Sequence, residues 1–142
     1  VDLDITIQPV FELSLNYPSG GIDFANLMPT MPEQVQGVVV TVRSNLGKPY
    51  SVIQDVSGGL SNQKGDEIKK EFFTFSTEVA DSQRGKGGVD QFIPVEKGSS
   101  PIFYSDNEGA SSTFKVIYRM IPYRDMQPGD YSLPVKYSLS EI

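Results

Sequence analysis

The feature that most constrains this chain is the alternation of apolar and polar side chains over its first 16 residues. The apolar side chains fall on odd positions: Val1, Leu3, Ile5, Ile7, Phe11, Leu13 and Leu15. A period of two places one set of side chains on one face of a sheet and does not fit an amphipathic helix. Sixteen extended residues would span roughly 50 Å, about twice an ordinary strand. Because Pro9 lacks a ladder donor, it predicts a break between strands over 1–8 and 10–16.

The rest of the chain consists of short apolar segments separated by Gly, Pro, Asn, Asp and Ser. This spacing is typical of β-sandwiches and barrels, with about nine or ten strands. The further predicted strands are 22–24, 35–43, 50–56, 71–77, 92–95, 102–104, 113–120 and 131–139. Val38, Val40 and Val42 would face the core, and a hairpin is the simplest interpretation of 35–43 with 50–56. The fold class predicted is all-β and antiparallel.

Two polar stretches are predicted to be loops. Residues 57–70 are mostly hydrophilic and include three glycines. Ala80–Gly88 combines glycines with charged side chains and leaves little to bury. We therefore expect Ala80–Gly88 to be an exposed, flexible loop tip.

Composition limits the classes of function. A length of 142 residues with 38% hydrophobic content predicts one folded domain. The net charge is −6 and Lys and Arg are scattered singly, which argues against nucleic acid or an anionic membrane as a partner. The sequence contains no run of about 18 apolar residues, so membrane insertion is not predicted. Because Val1 opens the chain without a signal-peptide pattern, we expect a processed, mature chain that is extracellular or on the cell surface.

The residue types that are absent argue against catalysis. The chain has no Cys, His or Trp. A disulfide framework and a thiolate metal site are therefore excluded, and the commonest general base and neutral metal ligand are missing. We expect no catalytic residue, metal or cofactor, and we expect that the protein is not an enzyme. A carboxylate pair brought together by folding stays open as an alternative.

The motifs that match known chemistry are weak. Ser61–Lys64 fits the Ser-x-x-Lys pattern of penicillin-recognising enzymes, but it lies in a polar loop and is interpreted as a chance match. Asp106–Gly109 lacks the alternating ligands and distant glutamate of a calcium loop, so a plain turn is favoured. The basic tip Arg84–Lys86 is interpreted as a solvated loop.

Tyrosines could supply a stacking platform for a carbohydrate. The seven are Tyr17, Tyr50, Tyr104, Tyr118, Tyr123, Tyr131 and Tyr137. Most lie on alternating strands, which favours packing within the sheets. Tyr123, between Pro122 and Arg124, is the best candidate for exposure.

The two ends of the chain resemble a known family. Val1–Ile7 followed by Pro9–Leu13 resembles the mature start of pilins assembled by the chaperone-usher route, especially the cysteine-free class that includes the colonisation-factor fimbriae. Pro128–Leu139 resembles the final strand of such pilins and of the related spore-coat-U-like secreted proteins. The middle of the chain matches by strand pattern alone.

The resemblance implies an immunoglobulin-like sandwich that lacks its last strand, with the groove filled by the N-terminal strand of the next subunit. Residues 1–8 would be this donor-type strand and 9–142 the sandwich domain, with Pro9 as the hinge. The donor side chains would be Val1, Leu3, Ile5 and Ile7. Candidate groove-lining residues are Phe114, Val116, Tyr118, Tyr131, Leu133, Val135 and Tyr137. The implied partners are identical subunits, head to tail, and a periplasmic assembly chaperone.

The physics of strand edges agrees with this implication. An exposed edge beside an apolar groove is an aggregation hazard unless another strand covers it, and strand addition satisfies a row of backbone groups. The predicted function is therefore a structural subunit of a secreted or surface fibre. A self-complemented monomer would show the same sequence pattern. The alternative function is a stand-alone extracellular module that binds carbohydrate or protein.

Overall fold

The computed structural model describes residues 8–16 and 22–142. Within these ranges the chain forms eleven strands: β1 (Phe11–Asn16), β2 (Ile22–Leu27), β3 (Gln34–Ser44), β4 (Tyr50–Val56), β5 (Phe73–Glu78), β6 (Lys86–Gly87), β7 (Ile93–Pro94), β8 (Gly98–Tyr104), β9 (Ser112–Met120), β10 (Gly129–Leu133) and β11 (Val135–Glu141). A short 3-10 turn, Lys70–Phe72, precedes β5, and the same ranges contain no α-helix. The predicted strand over 1–8 lies outside the described residues except for Gln8.

The strands form three antiparallel sheets. Five strands follow the order β1-β3-β9-β5-β7, four follow β11-β4-β8-β6, and β10 pairs with β2. The five-stranded sheet packs on both smaller sheets, through stacked Phe103 and Phe114 in one case and edge-to-face Phe24 and Phe73 in the other. The predicted all-β antiparallel sandwich is confirmed.

The core follows the predicted alternation. Val38, Val40 and Val42 of β3 are all 0% exposed. On β9, the inward side chains are all buried as well: Phe114, Val116, Tyr118 and Met120. Between them, outward residues such as Lys115 are exposed. The period-two pattern therefore assigned the buried face of these two central strands correctly.

The predicted hairpin of 35–43 with 50–56 is wrong. Both strands exist, but β3 belongs to the five-stranded sheet and β4 to the four-stranded sheet. Each already has two neighbours within its own sheet: β1 and β9 for β3, β11 and β8 for β4. Both carry fully buried inward side chains, so they face each other across the core as opposite layers.

Two predicted strand boundaries also need correction. The stretch 131–139 is two strands, because Pro134 has no N–H to continue a ladder. β10, before it, pairs with β2, and β11, after it, pairs with β4. The strand predicted at 102–104 begins earlier, at Gly98, and accommodates Pro101 at a register shift opposite β4.

One side of the sandwich is closed by residues 86–95, here called the closing segment. It pairs with β8 through β6 and with β5 through β7, so it borders both large sheets. Between these strands, Val89 enters the core and is 8% exposed. The Thr77 N–H donates to the Val89 carbonyl at 2.7 Å, and the Val89 N–H donates to Thr77 Oγ1 at 3.1 Å.

The prediction of Ala80–Gly88 as a flexible tip is wrong for its second half. Residues 80–82 are exposed, but the glycines that follow lie against β8. A Cβ on Gly85, where φ is +89°, would lie 2.5 Å from Phe103 Cζ. These glycines permit close backbone approach, which composition alone does not distinguish from flexibility.

Candidate strand-acceptor site

The opposite side of the sandwich ends in two edge strands. β1 is the edge of the five-stranded sheet, β11 is the edge of the four-stranded sheet, and the two lie close together. We call the region between β1 and β11 the seam. Each of these strands pairs with one neighbour, so on its other side it presents backbone groups that no described strand pairs. The seam therefore has the backbone chemistry needed to accept another strand.

Apolar side chains line the seam without being fully covered. Five half-buried side chains pack there against the core: Phe11, Leu13, Leu15, Tyr137 and Leu139. Four of their five register partners one strand inward are buried, and the exception is Ser44, opposite Phe11. Val42, opposite Leu13, and Val52, opposite Leu139, are both 0% exposed. The core therefore reaches this edge and remains partly exposed to water there.

A polar network fixes β11 to the opposite layer. The Tyr118 hydroxyl on β9 contacts the Tyr137 hydroxyl on β11, and it donates to Gln54 Oε1 on β4 at 2.5 Å. Burial, and secondarily the neighbouring Tyr137, raise the pKa of Tyr118 well above its usual range. The Tyr118 hydroxyl therefore keeps its proton to higher pH than an ordinary tyrosine. The contacts of Tyr118 and Tyr137 hold β11 by side chains as well as by its ladder.

The chain reaches β1 through contacts with Asn45. The backbone N–H of Asn45 donates to the Val10 carbonyl at 3.0 Å. Its side-chain Oδ1 accepts the Val10 N–H at 2.7 Å, and its Nδ2 donates to the Gln8 carbonyl at 2.8 Å. Pro9 lies between these two residues and has no N–H of its own. Residues 8–10 are therefore held in line with β1.

The predicted site residues fall in different places. The donor residues Val1, Leu3, Ile5 and Ile7 lie outside the described residues. Six predicted groove residues are buried in the core: Phe114, Val116, Tyr118, Tyr131, Leu133 and Val135. The seventh, Tyr137, is half-buried at the seam. Their role in a groove stays a prediction.

Sequence reasoning missed most of the seam. Phe11, Leu13 and Leu15 were recognised as one face of a strand, but not as the border of an open edge. Leu139 was likewise assigned only to an alternating strand. Alternation gives the inward face and carries no information on which strands lie at the edge of a sheet. Half-burial at the edge could not be read from the sequence.

The two weak motifs are turns. Asn62 Oδ1 accepts the N–H groups of Lys64 and Asp66, so the Ser61–Lys64 stretch is a locally bonded loop. Asp106 Oδ1 accepts the Ala110 N–H at 3.0 Å. This backbone hydrogen bond, with Arg84 as a further cause, lowers the pKa of Asp106. The described residues contain no group of three acidic side chains arranged for a metal.

The expected exposed residues are held in contacts. Tyr123 is half-buried and stacks on Phe72 with ring centroids 4.3 Å apart, and its hydroxyl accepts the Lys69 N–H at 3.2 Å. Tyr123, the best candidate for exposure, is therefore held by a stacked ring and a hydrogen bond. Arg84, in the predicted basic tip, lies 2.5 Å from Asp106 Oδ2. Tyr17 lies outside the described residues.

The comparisons with known proteins support the fold and go no further. No family model and no curated protein matches the chain. Among solved structures, it is similar to a family 123 glycoside hydrolase from Clostridium perfringens, from a study of glycolipid glycan hydrolysis, with a TM-score of 0.50 and 15% identity. The match covers 91% of this chain but only 25% of the hydrolase chain. Separately, the described residues contain no helix long and apolar enough to cross a membrane.

Proposed function

We propose that this chain is a structural subunit of a secreted or cell-surface fibre. Subunits join when Val1–Ile7 of one copy adds as a strand to the seam of the next copy. The observation that carries the proposal is the seam itself. It combines two edge strands with a line of half-buried apolar side chains.

The segment and the seam are complementary. The segment alternates apolar and polar side chains, so one face suits the partly exposed core and the other suits water. β1 has six residues and β11 has seven, close to the eight residues of the donor strand 1–8. Strand addition would satisfy the backbone rows that no described strand pairs, and the seam side chains would fix the register.

The contacts of Asn45 favour exchange between copies. The segment Val1–Ile7 joins the sandwich at Gln8, which Asn45 holds in line with β1. To enter its own seam, the segment would have to reverse direction beside these bonded residues. Entry into a second copy needs no reversal. A head-to-tail contact of this kind does not close on itself, so it propagates into a filament.

The proposal includes a partner before assembly. A seam that is partly exposed invites wrong pairing, so an assembly chaperone that covers it is the expected partner in the periplasm. The finished fibre is extracellular and has no catalytic role.

The test is removal and replacement of the donor. A chain lacking residues 1–8 should form no filaments in negative-stain images. The peptide VDLDITIQ should stabilise it, by about 2.7 kcal/mol at one hundred times the Kd. The peptide VLDDIITQ has the same composition without the alternation, so neither of its faces is apolar in any register, and it should have no effect.

A variant of the seam provides the matched control. Leu13→Asp should abolish peptide binding and polymerisation, because it places a charge on the seam face. Ser14→Asp, one residue away on the outer face, should leave both unchanged. A truncated chain that is stable, monomeric and indifferent to both peptides would overturn the proposal.

A second candidate function is a binding module for carbohydrate or protein, favoured by Phe92. Its ring is 38% exposed and lies over the Arg119 guanidinium, 4.2 Å from the ring centroid, so it is held in one orientation. An exposed aromatic face suits stacking on a sugar. Glycan-array binding that is lost in Phe92→Ala, from a chain that forms no filaments, would favour this function.

A further inference from the structure

Asn45 extends the pairing of β1 beyond the end of the β3 strand. The last backbone pairs of the β1–β3 ladder are Glu12 with Arg43 and Phe11 with Ser44. The next pair would be Val10 with Asn45, but there the main chain turns into the loop before β4. The side chain of Asn45 accepts the Val10 N–H in place of a backbone carbonyl. Its amide group then reaches past Pro9 to the Gln8 carbonyl.

We propose that Asn45 is the positioning residue that sets the direction in which Val1–Ile7 leaves the sandwich, and thereby the angle between successive subunits. This inference rests on the proposed function. It assigns a role to a residue that belongs to neither of the two seam strands.

Three consecutive residues are restrained by this arrangement. The ring of Pro9 fixes its own φ, and it restricts the preceding Gln8 to extended conformations. Val10 is bonded to Asn45 through both its N–H and its carbonyl. The remaining conformational freedom is rotation of the Gln8 carbonyl group, which the hydrogen bond from Asn45 Nδ2 restrains. Loss of that side chain would free the linker to rotate while the sandwich stays intact.

Because the Asn45 side-chain hydrogen bonds lie at the surface, their loss should change the direction of the N-terminal segment without changing the stability of the sandwich. Asn45 and Gln8 are both exposed, so water can replace the side-chain bonds when they are lost. We therefore expect Asn45→Ala to melt at the same temperature as the wild type. Asn45→Asp keeps the acceptor for the Val10 N–H but loses the donor to the Gln8 carbonyl. It should lie between Asn45→Ala and the wild type in every readout of direction.

The chain offers a matched control in Asn62. Its side chain also bonds to main-chain N–H groups within a loop, those of Lys64 and Asp66. It lies in the loop after β4, away from residues 8–10. Asn62→Ala should leave the direction of the N-terminal segment and the filament unchanged.

The first measurement uses the absence of cysteine in this chain. Spin labels at Thr6→Cys and Lys115→Cys, in the non-polymerising Leu13→Asp background, report the position of the segment relative to rigid β9. The distribution of distances should be about twice as broad in Asn45→Ala as with Asn45 present. Equal widths would show that Asn45 does not fix the exit direction.

The second measurement is made on filaments of the full chain. Asn45→Ala filaments should bend more easily, with a persistence length several-fold shorter and a variable subunit angle, while peptide affinity for the seam is unchanged. Wild-type and Asn45→Ala filaments with the same stiffness and angle would overturn the inference. If the wild type forms no filaments, the proposed function fails, and the spin-label widths alone decide whether Asn45 fixes the direction.

Discussion

At one side of the sandwich, the closing segment passes from the edge of the four-stranded sheet to the edge of the five-stranded sheet, and it covers the core. At the other side, β1 and β11 end the same two sheets with half-buried side chains. Val89 and Val95 of the closing segment are 8% and 5% exposed. The side chains of the seam, Leu13 and Leu139 among them, are only partly buried.

The difference shows that closing an edge needs specific residues. Gly85 and Gly87 allow backbone contact with Phe103 and Thr77 that a Cβ would prevent. The Thr77 hydroxyl bonds to both the N–H and the carbonyl of Val89. Nothing equivalent lies between β1 and β11 in the described part of the chain. The seam is thus the side where an added strand would bury the most apolar surface.

The largest expected effect is on the closed side. Gly85→Ala should reduce the free energy of unfolding by about 3 kcal/mol or more, because it adds a Cβ at positive φ and forces it against Phe103. Gly47→Ala, at φ +70° with open space around it, should cost only about 1 kcal/mol. Urea unfolding measures both. Equal losses of unfolding free energy in the two variants would mean that close packing on β8 does not hold the closing segment.

An intermediate effect compares the seam with the strand beside it. Val42→Ala should cost about 2 to 3 kcal/mol because its side chain is fully buried. Leu13→Ala, at the paired position of β1, removes more atoms but should cost only about 1 kcal/mol, since Leu13 is half-buried.

The peptide VDLDITIQ provides a further test of the comparison between Leu13→Ala and Val42→Ala. In the truncated chain with VDLDITIQ bound, the cost of Leu13→Ala should rise towards that of Val42→Ala, because the peptide completes the burial of Leu13. A cost that is the same with and without peptide would place the peptide elsewhere on the surface.

The smallest effect concerns Tyr50, which lies beneath the seam. Its ring meets Phe11 edge to face with centroids 5.7 Å apart, and its hydroxyl donates to the Ala110 carbonyl at 2.7 Å. Burial, and then the charge of Asp106, raise the pKa of Tyr50 from 10.0 to about 12. The folded state therefore holds this proton more tightly, and the associated stability is present below pH 10 and lost as the pH rises towards 12.

Tyr50→Phe should lower the free energy of unfolding by about 1 kcal/mol at neutral pH through the lost hydrogen bond. The gap between the two proteins should narrow between pH 10 and 12, as followed by urea unfolding at each pH. Tyr118, whose pKa is also raised, remains in both proteins and cancels in the comparison. A gap that widens in this range would contradict the assigned burial.

Sequence reasoning was strongest where a local pattern decides the outcome. Which side chains of Val38–Val42 and Phe114–Met120 face the core depends only on the two-residue repeat of a strand. This was predicted correctly. Pro134 carried a usable signal, because a proline within an apparent strand argues against one continuous ladder. That signal was not applied, and one strand was predicted where two exist.

Sequence reasoning failed where the outcome depends on distant residues. Asn45 looked like an ordinary turn residue, and its partners lie more than thirty residues earlier in the chain. Gly85 looked flexible because its restriction comes from Phe103. The edge position of β1 follows from strand order, which alternation does not encode. The alternation over residues 1–16 is visible in the sequence, while the edges of the sheets are visible only in the fold.

Pro134 has a mechanical consequence when the folded chain is pulled from one end. The chain runs from β10 into β11 through this residue, yet the two strands belong to separate ladders. Force applied at Ile142 acts first on β11, which can peel from β4 without shortening the β10–β2 pair. We expect the first extension event to release residues 135–142, a gain in contour length of roughly 25 Å, before the rest of the sandwich yields.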